Sequence, residues 1–195
     1  MSKLYFRYGA MNCGKSTALI QVAHNYEERG MNVIVIKPQV DNKGKDSIVS
    51  RIGATRRVDK LIDVDFNIYN YACGLIESDK RPDCILVDEV QFLKSYQVDQ
   101  LLHIAVKLNI PVVCYGLRTD FQMNGFEGST RLLLIAHSIE ELKTICRCGK
   151  KATQNARLIN GEFVFEGEQI AIDSFDKVSY ESVCSECYIK MRGIQ

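Results

Sequence analysis

Two features of membrane and secreted proteins are missing from this sequence of 195 residues. No apolar run approaches the roughly 18 residues that a membrane-spanning helix needs. The first residues also lack the basic segment followed by an apolar segment that marks a signal peptide. We therefore expect a cytoplasmic protein that has no membrane partner.

An excess of charge of one sign is missing as well. Lys and Arg number 25 and Asp and Glu 24, which leaves a formal net charge of +1. Because nucleic-acid-binding proteins typically carry a basic excess, we do not expect nucleic acid as a partner. Internal repeats and low-complexity tracts are also absent, and 46% hydrophobic residues with 25% charged residues are typical of a folded globular chain.

Apolar runs typical of buried strands alternate in the N-terminal part with segments that have helical periodicity. The predicted strands are 4–8, 33–36, 84–87 and 111–115, and the predicted helices are 15–29, 67–79 and 96–108. Residues 39–60 are polar, contain two glycines and are predicted to form a long loop. Strands that alternate with helices predict an α/β fold, with a parallel sheet and right-handed crossovers.

The first predicted strand leads into a phosphate-binding motif. Its residues are Gly9, Ala10, Met11, Asn12, Cys13, Gly14, Lys15 and Ser16. They match G-x-x-x-x-G-K-[ST] between a strand and a helix, the context in which this pattern binds nucleotides. Backbone N–H groups would surround the phosphates, Lys15 would reach the β and γ phosphates, and Ser16 would bind Mg²⁺. The alternative is a glycine-rich turn without a ligand.

Two adjacent acidic residues, Asp88 and Glu89, follow the predicted strand 84–87. Ligands of open parallel sheets bind beyond the carboxyl ends of the strands, so both side chains are expected near the phosphate motif. Asp88 is then predicted to act with Mg²⁺, and Glu89 to accept a proton from the attacking group or to orient it. A solvated pair that caps the next helix is the alternative. The residues themselves do not distinguish a small-molecule kinase from an ATPase or GTPase.

Four of the eight cysteines form two close pairs near the C-terminus. They are Cys146 and Cys148, then Cys184 and Cys187. Four thiolates suit a structural, tetrahedral Zn²⁺ site; an Fe–S cluster and two reduced pairs in a core are the alternatives. We expect a nucleotide-binding domain over residues 1–140 and a zinc-ribbon-like domain over 141–195, with strands at 162–165 and 169–172. Cys84 and Cys114 lie in apolar runs and are predicted to be buried.

Several ordered motifs give the chain a resemblance to a known family. Beyond the phosphate-binding motif they occupy residues 88–92, 115–121, 140–146, 151–157, 167–169 and 180–184. In these the sequence resembles the type II thymidine kinases, the tetrameric zinc-containing family, and most closely its bacterial members. The resemblance implies a P-loop, RecA-like sheet flanked by helices and a small C-terminal zinc domain that carries a lasso loop over residues 148–184.

The resemblance also implies an activity, namely ATP-dependent phosphorylation of the 5′-hydroxyl of thymidine with Glu89 as general base. The implied thymidine-binding residues are Met11, Phe92, Leu117, Phe121 and Tyr180. Arg157 would brace the lasso over the nucleoside, and dTTP would act as a feedback inhibitor of a homotetramer. The alternative from another functional class is a zinc-containing P-loop ATPase that works with a nucleic-acid or protein partner.

The sequence departs from the family pattern in three places. Ala10, Asn12 and Cys13 replace the usual residues of the phosphate-binding motif, and Lys43 stands where the family has Arg. Lys43 keeps the positive charge without the bidentate fork of Arg. Residues 172–175 replace the Ile-Gly-Gly that precedes the substrate tyrosine in the family. We therefore expect the contacts to the sugar to differ.

Overall fold

A computed structural model describes residues 1–39, 46–169 and 178–193. The strands are β1 (Leu4–Tyr8), β2 (Val33–Pro38), β3 (Ser47–Val49), β4 (Thr55–Arg57), β5 (Lys60–Ile62), β6 (Cys84–Val87), β7 (Val112–Gly116), β8 (Ser138–Glu141), β9 (Thr144–Ile145), β10 (Lys151–Ala152), β11 (Gln154–Ile159), β12 (Glu162–Val164) and β13 (Val178–Val183). The helices are α1 (Lys15–Glu27), α2 (Ile68–Glu77), α3 (Ser95–Lys107), α4 (Glu127–Ile135) and α5 (Ser185–Arg192).

The centre of the fold is a six-stranded parallel sheet with the order β5-β2-β6-β7-β1-β8. The predicted α/β fold is confirmed: four of its strands and three of its helices lie within two residues of the predicted bounds. β7 separates β1 from β6, so the loops that follow β1 and β6 leave the same edge of the sheet one strand apart.

Both faces of this sheet are covered, which explains why its strands are apolar runs without polar alternation. On one face, Ile85 and Val87 of β6 belong to a buried cluster that includes Val98 and Leu101 of α3. On the other face, Leu86 packs in a cluster with residues of α1. Cys84 and Cys114 are buried in these clusters, as predicted.

The prediction of a long loop over residues 39–60 is wrong for the part that the structure describes. β3 and β4 form an antiparallel hairpin, and β5 pairs in parallel with β2 at the edge of the sheet. The short strands went undetected because Ile48 is the only fully buried residue of the hairpin strands. α4 and β8 were not predicted either. The longest helices among the described residues, α1 and α3, have 13 residues each, too few to span a bilayer.

The C-terminal part contains a β9–β10 hairpin, a three-stranded antiparallel sheet of order β12-β11-β13, and α5. The predicted strand at 162–165 corresponds to β12. The predicted strand at 169–172 lies outside the described residues beyond Gln169. A small buried cluster that includes Cys146, Cys184 and Tyr188 forms the core of this part.

Candidate active site

The phosphate-binding motif forms the turn between β1 and α1, as predicted. Asn12 and Gly14 adopt left-handed backbone conformations, with φ of 64° and 85°, and Gly14 directly precedes the first residue of α1. A Cβ atom on Gly9 would lie 2.6 Å from the carbonyl oxygen of Leu142. The fold therefore requires glycine at both positions. At Gly9 the backbone approaches Leu142 closely, and at Gly14 it adopts a left-handed conformation.

Lys15 is 9% exposed, and its ammonium donates to the carbonyl oxygen of Ala10 at 3.0 Å. Its Nζ also lies 3.7 Å from the sulfur of Cys13. The ammonium is thus folded back onto the turn that precedes it. Ser16 follows in the first turn of α1, where N–H groups have no partner within the helix and attract anions.

Asp88 and Glu89 follow the end of β6 at the edge of the sheet from which the phosphate-binding motif leaves. Asp88 is buried, and its backbone N–H donates to the carbonyl oxygen of Ile36 at 3.0 Å. Burial, together with the charge of Glu89, raises the pKa of Asp88 to about 7, and the ammonium groups of Lys37 and Lys15 oppose that rise. The two lysines therefore offset only part of the cost of a buried negative charge at Asp88.

Glu89 is the turning point of this loop, with a φ of 48°. A residue other than glycine in this region indicates a backbone that the surrounding structure holds in place. The buried side chain of Gln91 stabilises this backbone. Its amide nitrogen donates to the carboxylate of Glu89, and its side-chain oxygen accepts the N–H of Leu117 at 3.1 Å. Glu89 is therefore linked through Gln91 to the loop that follows β7.

Among the predicted nucleoside-binding residues, Phe121 and Tyr180 are joined by the side chain of Arg157. The guanidinium carbon of Arg157 lies 3.6 Å from the ring centroid of Phe121, and its Nε donates to the Tyr180 hydroxyl at 3.0 Å. The same guanidinium donates to the carbonyl oxygens of Glu168 and Gln169 at 2.8 and 3.0 Å. Arg157 therefore connects three residues of the segment 148–184, which the family resemblance predicts to be a lasso, with the ring of Phe121.

The other predicted pocket residues lie in the neighbouring loops. Leu117 follows β7 and is buried. Phe92 lies in the short turn after Glu89, and its ring meets Phe126 edge-on at 5.8 Å between centroids. Met11 lies in the phosphate-binding motif, with its backbone N–H donating to the side-chain oxygen of Asn155 at 2.7 Å.

Sequence reasoning missed some of the residues that build this site. Asp120 is buried and accepts from the backbone N–H groups of Gln122 and Asn124, both at 2.8 Å, and from the side chain of Gln169 at 3.0 Å. Asn155 contacts the phosphate-binding motif. Asp120 belongs to a recognised motif, but Asn155 is a single amide in a strand and carries no local signal. Residues 41–43, with Lys43, and 172–175 lie outside the described residues.

The four C-terminal cysteines come together as predicted. Their sulfur atoms all lie within 4.8 Å of one another, and those of Cys148 and Cys184 are 3.5 Å apart. Four thiolates about 2.3 Å from one tetrahedral Zn²⁺ would be about 3.8 Å apart, so the cluster fits such an ion. Gly149, with a φ of 84°, permits the tight turn after the first pair.

The protein supplies hydrogen bonds that favour a thiolate in this cluster. Backbone hydrogen bonds of Cys148 and Cys184 lower the pKa of Cys146 to about 7. A similar bond from the backbone of Cys187 lowers the pKa of Cys184. The neighbouring thiols of Cys184, Cys148 and Cys146 raise the pKa of Cys187 to about 12. The backbone therefore favours the thiolate, the form that binds metals, at Cys146 and Cys184. No disulfide joins cysteines in the described residues.

Comparison with known proteins gives a consistent result. Residues 2–188 match the family described as thymidine kinase. The thymidine kinase of Shewanella oneidensis is 47% identical over 192 residues, covering 94% of this chain and 95% of the relative. That of Vibrio vulnificus is 46% identical, with 99% and 100% covered. A solved structure of the replication initiator DnaA covers 73% of this chain and 40% of its own, at 18% identity and a TM-score of 0.43, too distant a likeness to carry an argument.

Proposed function

The chain belongs to the thymidine kinase family, and from that premise we propose that it transfers the γ-phosphoryl group of ATP to the 5′-hydroxyl of thymidine. The main support within the molecule is the position of Glu89. Glu89 follows β6, which is separated from β1 by β7 alone, and it lies at the edge of the sheet where the phosphate-binding motif begins. The side-chain amide of Gln91 holds its carboxylate.

In the proposed reaction, the carboxylate of Glu89 takes the proton of the thymidine 5′-hydroxyl. The hydroxyl oxygen then forms a bond to the γ-phosphorus of ATP, while the bond to the bridging oxygen breaks and ADP leaves. Lys15 and the backbone N–H groups of residues 9–16 offset the negative charge that spreads over the transferred group. Mg²⁺ would be held by Ser16 and Asp88, where it supplies further neutralisation of that charge. The buried carboxylate of Asp88 fits this assignment.

We assign the nucleoside site to the apolar loops beside Glu89. Met11, Phe92, Leu117, Phe121 and Tyr180 would surround the thymine base, and Arg157 would support the segment that covers it. The contacts of Arg157 favour this assignment, because a single buried guanidinium joins Phe121, Tyr180 and the carbonyl oxygens of Glu168 and Gln169. Removal of the Arg157 side chain would break the contacts between the covering segment and the base pocket.

We further propose that Cys146, Cys148, Cys184 and Cys187 hold a structural Zn²⁺. Four protein ligands leave no open position for catalysis, so the metal would act by ordering the 141–195 domain, separate from the 1–140 domain that binds ATP.

Family resemblance also suggests a cytoplasmic homotetramer inhibited by dTTP.

The decisive experiment is ADP release by the purified protein with Mg²⁺–ATP, with and without thymidine. A kinase requires the nucleoside, so we expect ADP formation to depend strongly on thymidine and to match the amount of dTMP formed. Deoxycytidine serves as the control nucleoside, since buried polar groups that read the edge of one base discriminate against another. ADP release that is independent of thymidine and stimulated by a polynucleotide would instead identify the ATPase alternative.

A further inference from the structure

The backbone of Met11, inside the phosphate-binding motif, is held on both sides by side chains of the C-terminal part. Asn155 accepts the N–H of Met11 through its side-chain oxygen at 2.7 Å. Ser182 donates its hydroxyl hydrogen to the carbonyl oxygen of Met11. These contacts join residues 144 and 171 positions apart in the sequence. The loop that receives the phosphates is therefore attached to a different module from the strand and helix that it connects.

Asn155 and Ser182 form one structural unit. They are direct partners in the antiparallel pairing of β11 with β13, so their side chains project from the same face of the small sheet. They are only 3% and 7% exposed. Buried polar side chains that are fully hydrogen-bonded hold their partners in one arrangement, and a lost partner leaves a buried group unsatisfied.

The orientation of the Asn155 amide is fixed by its second partner. Its nitrogen donates to the carbonyl oxygen of Thr119 at 3.1 Å, in the loop that follows β7. A carbonyl oxygen can only accept and the Met11 N–H can only donate, so the amide cannot be reversed without losing both bonds. Asn155 therefore sets the distance between the phosphate-binding motif and the loop that carries Leu117 and Phe121.

The neighbouring cross-strand pair on the same face of the sheet contacts the base pocket. Arg157 lies opposite Tyr180 in the same β11–β13 register, two residues along each strand from Asn155 and Ser182. One face of the small sheet thus contacts the phosphate-binding motif through one cross-strand pair and Phe121 through the next. The sheet is a common support for both halves of the site.

From this juxtaposition we propose that Asn155 and Ser182 are positioning residues for the ATP phosphates, by which the C-terminal module sets the conformation of the phosphate-binding motif. The proposal rests on the proposed function, since it takes residues 9–16 as the ATP site. Because the Met11 N–H is committed to Asn155, phosphate binding is left to the N–H groups that follow Met11 in the motif. Nucleotide affinity then depends on residues that are far from the phosphate-binding motif in the sequence.

The experiment measures MgADP binding by isothermal titration calorimetry, in the absence of thymidine, for the full chain and three variants. We expect Asn155→Ala and Ser182→Ala each to weaken MgADP binding by about tenfold, because the released backbone of Met11 must then be ordered when the phosphates bind. Ser179→Ala is the matched control, because Ser179 lies on the same strand and is exposed; it should bind MgADP as the unaltered protein does.

Steady-state kinetics provide the second readout. The KM for ATP should rise by about tenfold in Ser182→Ala, whose lost hydroxyl bonds the Met11 carbonyl oxygen, while the KM for thymidine changes by about twofold or less. In Asn155→Ala both constants should rise, because Asn155 also bonds the loop that carries Leu117 and Phe121. A general loss of folding would move both constants and the thermal midpoint. Should Asn155→Ala not fold, Ser182→Ala removes a single hydroxyl and decides the question alone.

Unchanged MgADP affinity in a folded Ser182→Ala or Asn155→Ala protein would overturn the proposal. The calorimetric result is independent of the acceptor. If the unaltered protein binds MgADP but does not phosphorylate thymidine, the proposed function fails while the role of Asn155 and Ser182 is still tested by the same titration.

Discussion

The side-chain amide of Gln91 donates a hydrogen bond to the carboxylate of Glu89. Because the other end of this amide accepts the N–H of Leu117, the donating end must face Glu89. Gly116 makes the arrangement possible, since a Cβ atom there would lie 2.6 Å from the Gln91 oxygen. The donated hydrogen bond holds one carboxylate oxygen of Glu89 in a fixed position, which a general base needs in order to reach the proton it accepts.

Glu89→Gln is the first prediction. The amide has nearly the shape of the carboxylate and can still accept from Gln91, so nucleotide and thymidine binding should stay close to those of the unaltered protein. Without a base for the 5′-hydroxyl proton, kcat should fall by about 10²–10⁴-fold. Single-turnover phosphorylation combined with calorimetric titration of thymidine separates the two effects. Near-normal turnover would rule out Glu89 as the base.

Gln91→Glu tests the positioning of that base. The new carboxylate can still accept the N–H of Leu117, but it replaces the donor to Glu89 with an acceptor. Two carboxylates at hydrogen-bond distance share a proton, so we expect kcat to drop at neutral pH and the acid limb of the pH–rate profile to move to higher pH. Gln21→Glu, on the exposed surface of α1, is the control and should leave the profile unchanged. An unshifted acid limb in Gln91→Glu would contradict the role of the amide.

Gly128→Ala should damage the same loop from the opposite side. Gly128 lies in the first turn of α4, and a Cβ atom there would be 2.3 Å from the carbonyl oxygen of Val90 and 2.9 Å from that of Leu93. Overpacking of this kind typically costs about 1–3 kcal/mol. We expect a lower free energy of unfolding in urea and a reduced kcat, because the displaced turn carries Glu89. Gly74→Ala, in α2 with open space around its Cβ position, should not destabilise the protein.

Glu127 provides a pH-dependent prediction. Its carboxylate accepts from the backbone N–H of Ser95 at 2.8 Å and pairs with Lys94 at 3.1 Å. The Ser95 N–H and the Lys94 ammonium hold the pKa of Glu127 below its usual range. This stabilisation is complete above the pKa of the unfolded chain, and is lost as the pH falls through the lower pKa of the folded protein.

Glu127→Gln should therefore lower the free energy of unfolding at pH 7 by about 0.3–1 kcal/mol, the usual value for an exposed carboxylate at a helix N-terminus. The difference in the free energy of unfolding between the two proteins should be constant from pH 7 to about pH 5. It should disappear below the ordinary glutamate pKa of about 4.3. Urea unfolding over that pH range measures it, with the exposed Glu162→Gln as control. A gap that widens on acidification would be incompatible with the assignment.

The parts of the fold that the sequence predicted share one physical property. β2 and β6 are buried on both faces, so each is a continuous apolar run, and α1 and α3 show helical periodicity against the sheet. The β3–β4 hairpin has no such signal, because Ile48 alone is fully buried in it. Its pairing depends on contacts that the local pattern does not encode.

The candidate site shows the same division. Lys15, Asp88 and Glu89 could be recognised because their chemistry requires particular residue types next to a strand. Asn155 and Ser182 could not, since their partner Met11 lies more than 140 positions away and any strand can carry an isolated polar residue. The residues proposed to react are thus marked by local sequence patterns, whereas the contacts of Asn155 and Ser182 with Met11 exist only in the folded chain.

Metal removal is the remaining prediction, and it connects the cysteine cluster to catalysis. Ser182 lies two residues before Cys184 on the strand that leads into the cluster. The buried core of the C-terminal part is small and includes two of the four cysteines, Cys146 and Cys184. Since structural metal sites of this type supply much of the folding energy of their module, chelation should disorder β11 and β13 and release the backbone of Met11.

We expect chelated protein to melt about 10 °C lower, corresponding to a few kcal/mol for a chain of this size, and to be cleaved by protease within residues 141–193. MgADP affinity should fall along with thymidine affinity, because both sites rest on the same small sheet. Cys184→Ser should behave as the chelated protein does. Cys73→Ser, which alters a thiol outside the cluster, should retain metal, stability and both affinities. If the chelated protein lost thymidine binding but kept its full affinity for MgADP, the sheet would not be the support of the phosphate-binding motif.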